Sequence, residues 1–145
     1  MLDKLLLYLR HEMSLLGELV KLAEVQQDAL IRFNISELEG ISAAQDSLSK
    51  NLRETEEKRI KLLMNGLNIS RREAASLRLS VIENKYEGKE LLEIKNLRLC
   101  LRDLLTKLNN YNATNRALTN RARASIQNII SVFTNNGSAV CNVKV

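Results

Sequence analysis

Proline is absent from the 145 residues, and glycine occurs five times. Without these two punctuators the chain has few places to turn tightly, so long helices are the natural reading. Aromatic residues are scarce as well: Tyr8, Phe33, Tyr86, Tyr111 and Phe133 are all there are. Stacking platforms for nucleobases therefore have little to be built from. No apolar run approaches the ~18 residues that a membrane-spanning helix needs. The opening segment is interrupted by Asp3, Lys4, Arg10 and Glu12. It lacks the basic start, apolar middle and small-residue cleavage site of a secretory signal. A cytoplasmic location is expected.

Cysteine and histidine are equally sparse. Cys100 and Cys141 stand far apart, with no C-x-x-C arrangement. Cys100 falls within a helical pattern and is expected to be a half-buried thiol. Cys141 lies near the C-terminus, and no disulfide between the two is expected. His11, the single histidine, sits next to Glu12 in an ordinary helical repeat. It offers neither a metal cluster nor a nucleophile–base pair. There is no glycine-rich phosphate loop. Asp and Glu are numerous but scattered at helix-surface spacings, which suits solvated charge and i,i+4 pairing. A non-enzymatic protein without cofactor or metal is expected.

Leucine dominates what remains, in patterns of period 3.5 to 3.6. Leu2, Leu6, Leu9, Met13, Leu16, Val20, Ala23, Gln27 and Leu30 keep one stripe on one side of a helix. This predicts a helix over 2–32. After Phe33-Asn34-Ile35, the pattern Ser36-x-x-Glu39 reads as a capping box that opens a second helix over 36–65. Asn65-Gly66 would stop it. A connector this short makes the two helices antiparallel neighbours. Ser70-x-x-Glu73 is a second capping box, opening a shorter helix over 71–84. Residues 84–88 are an expected interruption.

From residue 89 the spacing returns and persists through Leu97, Leu101, Leu104, Leu108, Tyr111, Asn115, Leu118 and Ala122 to Val132. A continuous helix over 89–134 would be about 65 Å long. The first helix could cover only about two-thirds of it, leaving part without an intramolecular partner. Asn135-Asn136-Gly137 would end it, with a flexible tail over 138–145. The expected architecture is all-α. A long antiparallel hairpin plus a long C-terminal helix form a coiled-coil-like three-helix bundle, one domain over 1–137.

The charge is uneven. Residues 94–145 carry eight Lys/Arg against one Asp/Glu, while the preceding segments are close to balanced. A basic C-terminal third suits an acidic protein surface, nucleic acid, or simple solvation. Arg116, Arg121 and Arg123 cluster, with Lys95, Arg98, Arg102 and Lys107 upstream. However, no helix-turn-helix signature accompanies them, which argues against nucleic acid as a partner. Within this basic region Ile126, Ile129, Ile130, Val132 and Phe133 form an apolar cluster. It has two readings: core packed on the start of the first helix or the end of the second, or a face that docks a partner helix. Asn115, placed in the seam itself, either fixes register or touches a partner.

The stretch Leu108-Asn109-Asn110-Tyr111-Asn112-Ala113-Thr114-Asn115-Arg116-Ala117-Leu118 resembles the L-x-x-x-N-x-x-N-x-x-L segment of FlgN-type flagellar export chaperones. Ser125 through Phe133 resembles that family's last apolar segment. Phe133-Thr134-Asn135-Asn136-Gly137 resembles its aromatic-x-x-x-Gly exit. The Leu-rich first helix and the Phe33–Leu38 connector are similar too, so the likeness covers nearly the whole chain. The resemblance implies a cytoplasmic chaperone for hook–filament junction proteins. It would bind their C-terminal helical segments, prevent premature assembly, and deliver them to the cytoplasmic domain of the export gate. It carries the client-binding role onto Leu118, Ile126, Ile129 and Ile130, and marks Asn112 and Asn115 as motif residues. A family tyrosine implicated in docking to the gate corresponds to Phe133, which lacks the hydroxyl and leaves only an apolar anchor. The basic C-terminal third is a second departure. Two other readings remain: a structural coiled coil that self-associates, as a homodimer for example, and a basic nucleic-acid-binding helical protein.

Overall fold

A computed structural model describes the backbone of residues 1–140 and the side chains of residues 1–135. The described residues hold five helices and no strand: α1 (Leu2–Ile31), α2 (Ile35–Leu67), α3 (Arg71–Ser76), α4 (Leu79–Glu83) and α5 (Gly88–Val140). The all-α fold and the long hairpin stand as expected. None of these helices is long and apolar enough to cross a membrane.

α1 is the central element. Both α2 and α5 pack along it, and the backbones of α2 and α5 make no close approach to each other. Two cross-links give the directions. Glu12 meets Arg59 and Gln26 meets Gln45, so α2 runs antiparallel to α1. Arg10 meets Glu93, and Asn115 meets Ala23 and Gln26, so α5 runs parallel to α1. Because α2 ends beside the start of α1, α5 sets out from that same end, with the short α3 and α4 bridging between them.

Because α1 is flanked by both α2 and α5, it buries more than one seam. Leu6, Leu9, Leu16 and Ala23 of the predicted stripe are buried, and so are Leu5, Leu15, Leu19 and Ala29. Leu63 of α2, Ala74 of α3, Ile82 of α4, and Ile94, Leu97 and Leu101 of α5 complete the core. The polar positions in the α2 stripe are accounted for. Thr55 turns its hydroxyl to the Asn51 carbonyl at 2.9 Å, and Arg59 reaches across to Glu12.

Several boundaries differ from the sequence expectation, each for a local reason. The N-cap of α2 is Asn34, not Ser36: its side chain accepts from the Glu37 N–H at 3.2 Å and donates to the Glu37 carboxylate at 3.1 Å. Arg32 binds the same carboxylate, which tips the choice toward the earlier cap. Asn34→Ala is therefore expected to lose about 1 kcal/mol of stability, while Ser36→Ala loses close to none. Urea titration of the two variants distinguishes the caps. α2 also runs past Gly66 and closes at Asn68, which takes the left-handed conformation (φ 53°). At Gly66 the Met1 side chain lies close to where a Cβ would stand.

The capping box at Ser70 and Glu73 is present as read. The helix expected over 71–84 is instead broken at Leu77 and Arg78, which adopt extended conformations. Gly88, with φ 65°, starts α5 after the expected interruption. α5 then continues through Asn135 and Gly137 to Val140, beyond the predicted stop. The first residues of the expected tail are thus helical, and residues 141–145, Cys141 included, lie outside those described. Cys100 is exposed rather than half-buried.

Candidate functional site

With 53 residues, α5 is about 80 Å long, while the 30 residues of α1 span about 45 Å. The parallel register puts Asn115 level with Ala23 and Gln26, so α1 ends opposite the region near Ala122. From Arg123 through Phe133 every side chain of α5 is exposed. The helix projects past the α1–α2 turn as an unsupported rod.

The apolar cluster lies on that rod. Ile126, Ile130, Val132 and Phe133 are about half exposed and Ile129 is 67% exposed. Packing on the start of α1 or the end of α2 is thereby corrected: the parallel direction of α5 carries the cluster to the opposite end of the bundle. Leu118 is half-buried, about one turn before the level at which α1 ends. Five large apolar side chains held in water on one helix are unfavourable for a lone chain, and they form a surface for association.

A second apolar group, not anticipated from the sequence, shares this end. Ile31, Phe33 and Ile35 of the α1–α2 turn are all more than 60% exposed. Phe33 is also in the left-handed conformation, φ 55°. The reason is the closure of α1. The Phe33 N–H donates to the Leu30 carbonyl and the Asn34 N–H to the Ala29 carbonyl, a pair of bonds that places residue 33 at φ > 0. The matching position at the end of α2 is Asn68, a residue that tolerates this conformation; phenylalanine does not tolerate it well. Phe33→Gly should thus raise stability by about 1 kcal/mol, readable as a higher midpoint of thermal unfolding. The signal available in the sequence was an aromatic flanked by two isoleucines in a solvent-facing turn.

The two motif asparagines part company. Asn112 is exposed, whereas Asn115 is 3% exposed. Its amide donates to the Ala23 carbonyl at 2.8 Å and to the Gln26 side chain at 3.1 Å, and Gln45 of α2 donates to the same Gln26 oxygen at 3.0 Å. This three-residue layer ties α5, α1 and α2 together at one height and sets the register of the long helices. The Asn115 Oδ1 atom is buried without a hydrogen-bond partner.

Since the backbones of α2 and α5 keep apart along α1, a groove runs between them. Near Asn115 it encloses about 530 Å³, with Leu19 and Gln26 on its floor and Arg116 and Arg123 on its α5 wall. Nearer the start of α1 it encloses about 720 Å³, between Leu52 and Arg59 of α2 and Leu101 and Leu105 of α5. Glu12 and Arg59 line this upper part. Burial pushes the Glu12 carboxyl up from its ordinary range, and the Arg59 guanidinium pulls it back only partly. Among the described residues, no group of three or more His, Cys, Asp or Glu could hold a metal ion. What the surface can do is bury another helix.

Compared with known families, residues 1–142 match the model described as FlgN protein. No curated protein and no solved structure matches the chain.

Proposed function

The chain belongs to the FlgN family of flagellar export chaperones, and we propose that it holds the C-terminal helical segments of hook–filament junction proteins on the projecting end of α5. The observation that carries this reading is the exposure of Ile126, Ile129 and Ile130 on a helix with no intramolecular partner at that level among the described residues. A client helix with an apolar stripe would associate prematurely on its own. Laid against these isoleucines, it is shielded by a helix-to-helix contact of the kind that buries i, i+3 and i+4 anchors.

Leu118 marks the inner limit of the proposed client surface, and Phe133 the outer. Phe133 is exposed and is assigned here to docking on the cytoplasmic domain of the export gate, as an apolar anchor without a hydroxyl. The chaperone is placed in the cytoplasm, where clients would be met before export. Handover requires release, so a moderate affinity is expected. Ordering an unsupported helix end on binding would offset part of the contact free energy and keep the affinity in that range.

Co-purification of the chain with a junction-protein C-terminal segment tests the proposal. Binding with a dissociation constant of about 10 μM or tighter is expected. Folded protein that shows no binding at about 100 μM would remove the reading. Stable self-association that buries the end of α5 would instead favour the coiled-coil assembly alternative.

A further inference from the structure

The groove between α2 and α5 and the exposed end of α5 lie on one face of the same helix. Asn112, Arg116, Thr119 and Arg123 line the groove. Continuing at the same alternation of four and three residues leads to Ile126, Ile130 and Phe133, all exposed. Residues at that spacing share a helix face. A partner lying along α5 would therefore meet arginines and amides over the bundle, then isoleucines and phenylalanine beyond it. From Asn112 to Phe133 the track is about 32 Å long.

Two further features say what fits there. The α5 wall is basic, and neither Arg116 nor Arg123 has an ion-pair partner among the described residues. On α5 the last acidic residue is Asp103, and the only carboxylate lining this part of the groove is Asp46 of α2. Asn115 lies beneath this groove, buried and turned to Ala23 and Gln26, so the exposed wall is made by Asn112, Arg116 and Arg123.

We propose that the α2–α5 groove at Asn115, Arg116 and Arg123 is the inner half of a single docking track, which receives an amphipathic partner helix carrying acidic side chains at one end and an apolar stripe at the other. Resting on the chaperone reading above, this names the chemistry its client must present. The acidic end pairs with Arg116 and Arg123, and the apolar stripe covers Ile126, Ile130 and Phe133. A second copy of this chain is disfavoured as occupant, because its own α5 end would bring Arg121 and Arg123 against an already basic wall.

The test is titration calorimetry with the C-terminal segment of a junction protein as probe, against the wild-type chain and three variants. Arg116→Glu/Arg123→Glu alters exposed side chains and leaves the fold intact by circular dichroism. It should weaken binding about tenfold at low salt, with most of the difference gone at high salt. Asn115→Leu keeps the seam filled beneath the groove and serves as the control; it should bind within about twofold of wild type. Ile126→Asp/Ile130→Asp reports on the outer half. If that last variant loses binding while the arginine pair binds like wild type, the groove proposal is overturned and the chaperone reading stands. If wild type does not bind, both fall. Sedimentation that shows a dimer dissolved by Arg116→Glu/Arg123→Glu makes a second copy the occupant, and overturns the proposal as well.

Discussion

The double variant Ile126→Asp/Ile130→Asp is expected to bind a junction-protein C-terminal segment about a hundredfold or more weaker than the wild-type chain, with the same unfolding midpoint. Both halves of that expectation follow from where the residues sit. Neither isoleucine contributes to the core, so the substitutions fall in the class of surface changes that move stability by about 0.5 kcal/mol or less. In the proposed complex both would be covered by a client helix. A carboxylate buried there unpaired is strongly unfavourable, and each central apolar anchor carries about 2 kcal/mol of binding free energy. Ordinary core residues would behave in the opposite way: Leu63→Ala or Ile94→Ala would unfold the bundle before binding could be measured. If the double variant binds as tightly as wild type, the end of α5 is not the client surface.

The second large effect concerns the ion pair that joins α1 to α2. Both carboxylate oxygens of Glu12 accept from Arg59 Nε, at 3.0 and 3.1 Å, with Glu12 buried and Arg59 nearly so. Glu12→Ala should cost about 3 kcal/mol, since it leaves a largely buried guanidinium without its partner. Glu12→Gln should stay within about 1 kcal/mol of wild type, because an amide oxygen still accepts from Arg59.

The pH dependence gives the sign. Burial raises the Glu12 carboxyl above its unfolded value, more than Arg59 and its hydrogen bond lower it, and the nearby Glu56 adds to the rise. A group with a raised folded value contributes stability that is fully present below the unfolded carboxylate range and lost as pH rises through the folded value. Wild type compared with Glu12→Gln should therefore gain relative stability on acidification and lose it toward neutral pH. Paired urea titrations at acid and neutral pH check this. A glutamine variant as unstable as the alanine one would contradict it, and would mean that the charged pair stabilises the fold outright.

The periodicity of leucine was enough to place α1, most of α2 and the long run of α5, because buried stripes on long helices leave a direct trace in spacing. The capping box at Ser70 was readable for the same reason: its two partners are three residues apart in the chain. Features set by distant contacts left no such trace. Asn34 and Ser36 both stand three residues before a glutamate, and only the Arg32 contact with Glu37 separates them. Gly66 resembles a helix stop, but α2 runs through it with Met1 close by. The break at Leu77 and Arg78 has neither glycine nor proline to announce it.

The proposed docking surface divides along the same line. Ile126, Ile129, Ile130 and Phe133 stand out as an apolar cluster in a basic, asparagine-rich stretch. The length of the helix alone leaves part of it without a partner, but which part depends on α5 running parallel to α1. The direction follows from the antiparallel α2, which returns the chain to the start of α1, and the overhang from α5 being longer than α1. Phe33 and Ile35 read as a connector and Ile31 as the last turn of the first helix; that all three face solvent together depends on how α1 closes. Asn115 showed its place in the seam, while its unpartnered oxygen and its groove became visible only once α2 and α5 were seen to stay apart.

Hydrogen–deuterium exchange across α5, with and without a junction-protein C-terminal segment, tests the central claim most directly. The account predicts that peptides covering residues 112–133 exchange more slowly in the complex, with the largest change over 123–133 and little change in the α1–α2 seam. Binding that leaves residues 123–133 exchanging at the free rate, or protects only the opposite end of the bundle, would contradict it.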